Sequence, residues 1–396
     1  MGKRTISRAR FLAGGGALGV AAAVGALGAT GGLGTAGAGT RTGAGTGAGS
    51  EAGTGGAGAG GGGLTHRGVL YECVSGESPA TGWSARRMRR DLRVIRDELH
   101  ATSVGVFGDG VERLAATATE AAERGLRVWL QPRLADRPKR EILDHLAETG
   151  RVAERLRRQG ADVHLSVGCE FLLFVPGIVP GDNVLERIEN VLDGNFDPEL
   201  MQRRLTDFIE RSTAVGRSVF GGPLTYGAAH GDEVDWDLFD VVSVDYYEYH
   251  PDRSGYAADL APYRRWGKPV AITECGTCTY EGAPRDGGMG WYSVDYTKEP
   301  AEIRGDLVRS ERTQAEYLAE VLDVYESMNL YAALVYSFVS PDSPHSPDPR
   351  YDLDMASYSL TKPIREDFLD PAAGWHWEPK EAFHAVAERF ARAARR

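Results

Sequence analysis

Eight short apolar runs, separated by longer amphipathic stretches, constrain this chain more than any other feature of it. They are GVLYECV (68–74), TSVGVFG (102–108), LRVWLQP (126–132), DVHLSVG (162–168), RSVFGGPLTY (217–226), DVVSVDYY (240–247), KPVAITE (268–274) and YAALVYSFV (331–339). Most are near-continuous blocks rather than strict alternations, the pattern of parallel strands covered by helices on one side and packed on the other. Helical stripes are expected between them at 110–124, 139–158, 198–214 and 312–328. Met88, Leu92, Ile95 and Leu99 share one face of a helix that Ser84 would cap, and a last helix over 379–393 would start on Pro379. GYAADLAPYRRWG, between the sixth and seventh runs, has room for barely two turns. This repetition over residues 65–396 predicts an α/β fold, a (β/α)8 TIM barrel with insertions. A doubly wound sheet would carry G-x-G-x-x-G after its first strand, and LYECVSGESPATG has none.

Two of the runs end on a carboxylate. HLSVGCEFLLF places Glu170 at the tip of the fourth, and AITECGTC places Glu274 at the tip of the seventh. In a barrel the carboxyl ends of all strands meet on one face, so acids remote in sequence converge across its mouth. Paired carboxylates suit glycoside cleavage: one protonates the leaving oxygen and the other attacks the anomeric carbon. Their shared charge raises one pKa and keeps a proton available near neutrality. Other strand-end residues are expected around the same cleft: Glu72, Asp109, Arg133, Cys169, Asp245, Tyr336 and Phe338, with Trp291 from the RDGGMGWYS loop stacking on a sugar face. Arg133 has a second reading, as a partner of Glu72 or Asp109. A Schiff-base aldolase is disfavoured because Lys268 opens its strand at the wrong face. No cofactor and no metal is expected: the nine histidines do not cluster in sequence, and His164 alternates with core positions. DPRYDLDM (348–355) reads as a loop latch in preference to a cation site.

Acids ending strands four and seven of such a barrel resemble those of clan A glycoside hydrolases. The resemblance implies that Glu170 is the acid/base and Glu274 the nucleophile. It also implies that Tyr247, or Tyr246 in the other register, bonds the nucleophile. That clan places Asn before the acid/base, where its amide bonds the sugar 2-hydroxyl; this chain has Cys169, a poor hydrogen-bonding group. THRGVLYECV, GCEFLLFVPGIVPGD, GKPVAITECGTCTYEGA and DPRYDLDMASYSL are also similar to bacterial barrel proteins known as abortive infection proteins, common in actinomycetes. The function expected is therefore a retaining glycoside hydrolase acting on a carbohydrate. The alternative is a non-catalytic carbohydrate-binding barrel derived from one, with Cys169 as its argument.

Composition divides the chain. Residues 1–29 have a basic head and a Gly/Ala-rich apolar run resembling a twin-arginine export signal, although Ala9 stands at the second arginine and Arg10 one place later. The other reading is a leader added by a mis-assigned start on a cytoplasmic protein. Residues 30–64 are almost only Gly, Ala and Thr, a linker composition that buries no core. The apolar run is too short and glycine-rich for a stable membrane span. The net charge is −11, and residues 1–64 hold five basic residues against Glu51, so the body is more acidic still. Such a surface repels nucleic-acid phosphates. The four cysteines are too few for a disulfide scaffold; buried thiols are expected, with Cys275–Cys278 the pair an exported chain would join. Oligomeric state is not legible in the sequence.

Overall fold

The computed structural model describes residues 64–393, so segments 1–29 and 30–63 lie outside the described residues. Eight parallel strands close into a barrel: β1 (His66–Cys73), β2 (Ser103–Gly108), β3 (Arg127–Pro132), β4 (Val163–Cys169), β5 (Leu224–Ala229), β6 (Val242–Asp245), β7 (Val270–Cys275) and β8 (Ala332–Val335). Each pairs with its sequence neighbour, and β8 closes on β1 with Val69 opposite Val335. The interior is filled by large side chains set against glycines. A Cβ on Gly105 would lie 2.6 Å from Leu70, and one on Gly68 would lie 2.7 Å from Leu334.

The outer layer is α1 (Ala85–Asp97), α2 (Val111–Glu123), α3 (Lys139–Arg158), α4 (Val184–Leu192), α5 (Pro198–Val219), α6 (Arg253–Leu260), α7 (Glu311–Ser327) and α8 (Glu381–Ala393). Ser84 caps α1 by accepting from Arg87 N at 3.3 Å, and Met88, Leu92 and Ile95 are buried as their spacing predicts. Three elements depart from expectation. Arg217–Val219 extends α5, and β5 starts only after Gly221, Gly222 and Pro223, which are the true break. No α-helix follows β5, where residues 230–241 contain a single 3-10 turn, Trp236–Leu238. Pro379 ends a strand (Trp375–Pro379) paired with Thr361–Arg365, and α8 begins beyond Lys380, whose ammonium is drawn inward to Asp354 at 3.2 Å.

The DPRYDLDM segment is a latch. Arg309 bonds Asp352 at 3.0 Å and Asp354 at 2.9 Å. At the amino-terminal end of the barrel, histidines separated in sequence do meet: the rings of His66 and His164 lie 4.9 Å apart. Trp129 Nε1 donates to His66 Nδ1 at 3.1 Å, and burial pushes the two imidazoles down to about 2 and about 4, which keeps both neutral. They form a plug facing away from the mouth. No helix among the described residues is long and apolar enough to cross a membrane.

The two acid-bearing strands share a device. On β4, Ser166 pairs with Thr225 but Cys169 pairs with Gly227, so three steps oppose two. On β7, Ile272 pairs with Val244 but Glu274 with Asp245, two steps against one. Each is a one-residue bulge, which changes the phase of every side chain beyond it. Without it the side chains of Cys169 and Glu274 would face the helices.

Candidate active site

The bulged strand ends converge at the carboxyl-terminal mouth. On β6, strand alternation turns Asp245 and Tyr247 inward. Tyr247 Oη donates to Glu274 Oε2 at 2.9 Å. Arg133, just beyond β3, donates Nη2 to Glu274 Oε1 in an ion pair, and the same nitrogen reaches Gln131 Oε1 at 2.6 Å and Cys169 Sγ at 3.3 Å. The guanidinium lies over Phe107, 4.4 Å from its centroid, and 5.3 Å from that of Phe174. Its Nε and Nη1 are buried donors without a hydrogen-bond partner. Asp245 accepts from Thr273 Oγ1 at 2.7 Å and from the Cys169 thiol at 3.3 Å.

Glu170 is set by its backbone. It takes a left-handed conformation (φ 37°) directly before the turn Phe171–Phe174. Its N–H donates to Gly227 O at 2.8 Å, and Phe171 N donates to Tyr226 Oη at 2.8 Å. Arg187 Nε fixes the far end of the turn through Leu173 O at 2.5 Å. Holding a non-glycine residue in that region costs energy, a pattern common where a side chain must be aimed. Burial raises the Glu170 carboxyl well above the ordinary range, and the negative charges of Asp245 and Glu274 raise it further against the pull of Arg133. Glu170 and Glu274 are both buried. Asp245 is raised in the same way, by burial first and by Glu274 second. The site is thus a cluster of carboxyl groups around one guanidinium, in which burial and mutual repulsion favour the protonated forms of Glu170 and Asp245. Cys169, Asp245 and Glu274 bring ligand atoms within 4.8 Å of one another, a spacing that a metal ion would also accept. Arg133 already serves Glu274 and Cys169 there as the cation.

No family model and no curated protein sequence matches the chain. Solved structures do. A GH113 β-1,4-mannanase superposes with a TM-score of 0.53 at 13% identity, covering 83% of this chain and 99% of its own. The GH113 β-mannanase of Alicyclobacillus acidocaldarius gives 0.50 at 15% identity, covering 83% and 98%. A Bacteroides uniformis β-glucuronidase gives 0.50 at 16% identity, covering 82% of this chain and 34% of its own. These structural neighbours are clan A glycoside hydrolases. The likeness is one of fold. The similarity to abortive infection proteins finds no support among them.

The structure brings together Glu170, Glu274, Arg133, Cys169, Asp245 and Tyr247. Arg133 pairs with Glu274 in place of the expected Glu72 or Asp109. Glu72 is partly buried in the field of Arg133, Asp342 and Glu274, and burial pushes it up to about 8. Tyr336 is buried with its ring 5.7 Å from Phe107, and Glu72 and Glu274 both act on it. Three residues stand apart. Asp109 is exposed and takes Arg113 at 2.5 Å, one helical turn on, because the chain has already left the mouth for α2. Phe338 packs outward on Trp377, with ring centroids 5.2 Å apart. Trp291 is only 1% exposed and meets Tyr292 edge to face at 5.5 Å. Its loop is held over Tyr247 by Tyr358, whose hydroxyl donates to Gly287 O at 2.7 Å and accepts from Gly290 N at 3.0 Å.

Gln131, Thr273, Phe174 and Tyr358 belong to the assembly without having been singled out. Gln131 was findable, two residues before Arg133 on the same strand face. Thr273 was not, since only the bulge lets it share the interior with Glu274. All four cysteines are free and buried, the Cys275–Cys278 pair included.

Proposed function

We propose that this chain is a retaining glycoside hydrolase, with Glu170 as acid/base and Glu274 as nucleophile. The carrying observation is electrostatic: two carboxyls at facing strand ends, one whose pKa is raised by burial and by its neighbours' charge, the other held by Arg133 and Tyr247. Glu170 would donate its proton to the glycosidic oxygen while Glu274 attacks the anomeric carbon, forming a glycosyl ester and releasing the alcohol. Glu170, now a carboxylate, would take a proton from water as that water displaces Glu274, returning the sugar with its starting configuration. Arg133 and Tyr247 fix the attacking oxygens of Glu274, and the spare donors of Arg133 can receive substrate oxygens. The mannanase and glucuronidase neighbours support an O-glycoside as the substrate class. Export through segment 1–29 belongs to the same proposal.

The test is proton NMR of the first product formed from a panel of aryl glycosides, with Glu274→Gln alongside. Retention of anomeric configuration and loss of turnover are expected; a Glu274→Gln protein as active as wild type refutes the assignment. One observation favours a second reading, a barrel that binds sugar without cleaving it. The Cys169 thiol is spent on Asp245, so the amide contact of clan A enzymes is missing here. Calorimetric sugar binding with no hydrolysis across the panel would select that reading.

A further inference from the structure

We infer that the barrel flank between α5 and α6 is a carbohydrate groove that holds an uncharged glycan chain. The groove stands independently of the hydrolase reading. Where the β5–β6 helix is missing, a cavity of about 630 Å³ opens between α5 and the segment that follows β6. Its chemistry is that of a sugar site. Tyr263 and Trp266 are partly exposed rings in its lining, and Trp236 is a buried one. Aromatic faces of this kind receive the C–H faces of pyranoses.

The same lining carries His230, Asp232 and Asp259, with the His230 ring 6.4 Å from that of Tyr263. The Asp232 Oδ2 atom is buried and has no hydrogen-bond partner. An acceptor left unsatisfied in a burying site calls for a donor, and sugar hydroxyls supply donors. Glu233 and Asp235 add negative charge against Arg265 alone. A uronate or sulfated chain would be repelled, so the ligand class is neutral. The charge of Asp232 also raises the Glu170 carboxyl, as the smallest of the influences on it.

Native affinity electrophoresis of the full chain tests this, in gels containing soluble galactomannan, mixed-linkage β-glucan, arabinoxylan or polygalacturonate. Retardation is expected in at least one neutral gel and not in polygalacturonate. Trp266→Ala and Asp232→Asn should each weaken it about tenfold with unchanged circular dichroism, the scale of one stacked ring or one charged hydrogen bond. Glu274→Gln should be retarded like wild type. The inference falls if both groove variants bind like wild type, if no neutral gel retards the protein, or if polygalacturonate retards it equally. Retardation abolished by the groove variants in a protein that cleaves no glycoside would uphold the groove and overturn the hydrolase reading.

Discussion

The hydroxyl of Tyr247 stands 2.9 Å from Oε2 of Glu274, on the opposite strand face from Tyr246, which turns outward to Asp259. Alternation along β6 decides which of two adjacent tyrosines serves the mouth, a choice that the letters VDYYEY leave open.

Tyr247→Phe should lower kcat on an aryl glycoside by about 10–100-fold, since a hydrogen bond to a charged group contributes about 1.5–3 kcal/mol. Tyr246→Phe should stay within about twofold of wild type. Steady-state kinetics of the two variants decide it, and equal effects would contradict the assignment.

Arg133→Met removes the cation from a buried pair and should cost roughly 3–5 kcal/mol of stability, because an uncompensated carboxylate is left behind. Adding Glu274→Gln should recover part of that loss. A double-mutant cycle by urea unfolding measures the coupling, and strict additivity would mean that the two residues do not interact.

Stability should fall as pH rises. Burial chiefly, then Asp342, Asp109 and Glu274 against the pull of Arg133, moves Glu72 from 4.5 to about 8. The native state then keeps a proton that the unfolded chain has released, so unfolding gains ground as protons become scarce. The contribution is whole below about pH 4.5 and gone above about pH 8; Glu170 acts with the same sign. Thermal melts at about pH 5 and about pH 8.5 should show a drop that Glu72→Gln narrows. A rise in wild-type Tm over that span would contradict the sign.

Cys169→Asn should fold with wild-type Tm to within a few degrees, since an amide can donate to Asp245 and accept from Arg133 where the thiol now does. It should also raise kcat/KM for substrates that carry a 2-hydroxyl, at most by the roughly tenfold that one hydrogen bond supplies. No gain on any such glycoside would mean that Cys169 does not face that position.

The sequence made the barrel legible because each apolar block is long enough to name its strand. It also pointed to Glu170 and Glu274, since acids at the ends of such blocks are conspicuous, whereas Tyr247 and Tyr246 were left as two registers of one expectation. Asp109 was misplaced by the same logic: following a strand is not the same as facing inward, and the i,i+4 pairing with Arg113 took precedence. The meeting of His66 with His164, and the unfilled place after β5, depend on closure of the whole ring. Neither leaves a local trace.

Both bulges separate how a strand pairs from what it presents. Removing one residue between Val270 and Thr273 would erase the bulge and let β7 keep its neighbours, leaving Glu274 opposite Asp245 but turning Thr273 out among the helices and away from Asp245. Loss of a single codon would thus strip Asp245 of its Thr273 partner while leaving a barrel that still assembles, so the extra residue serves the carboxyl cluster and not the closure of the ring.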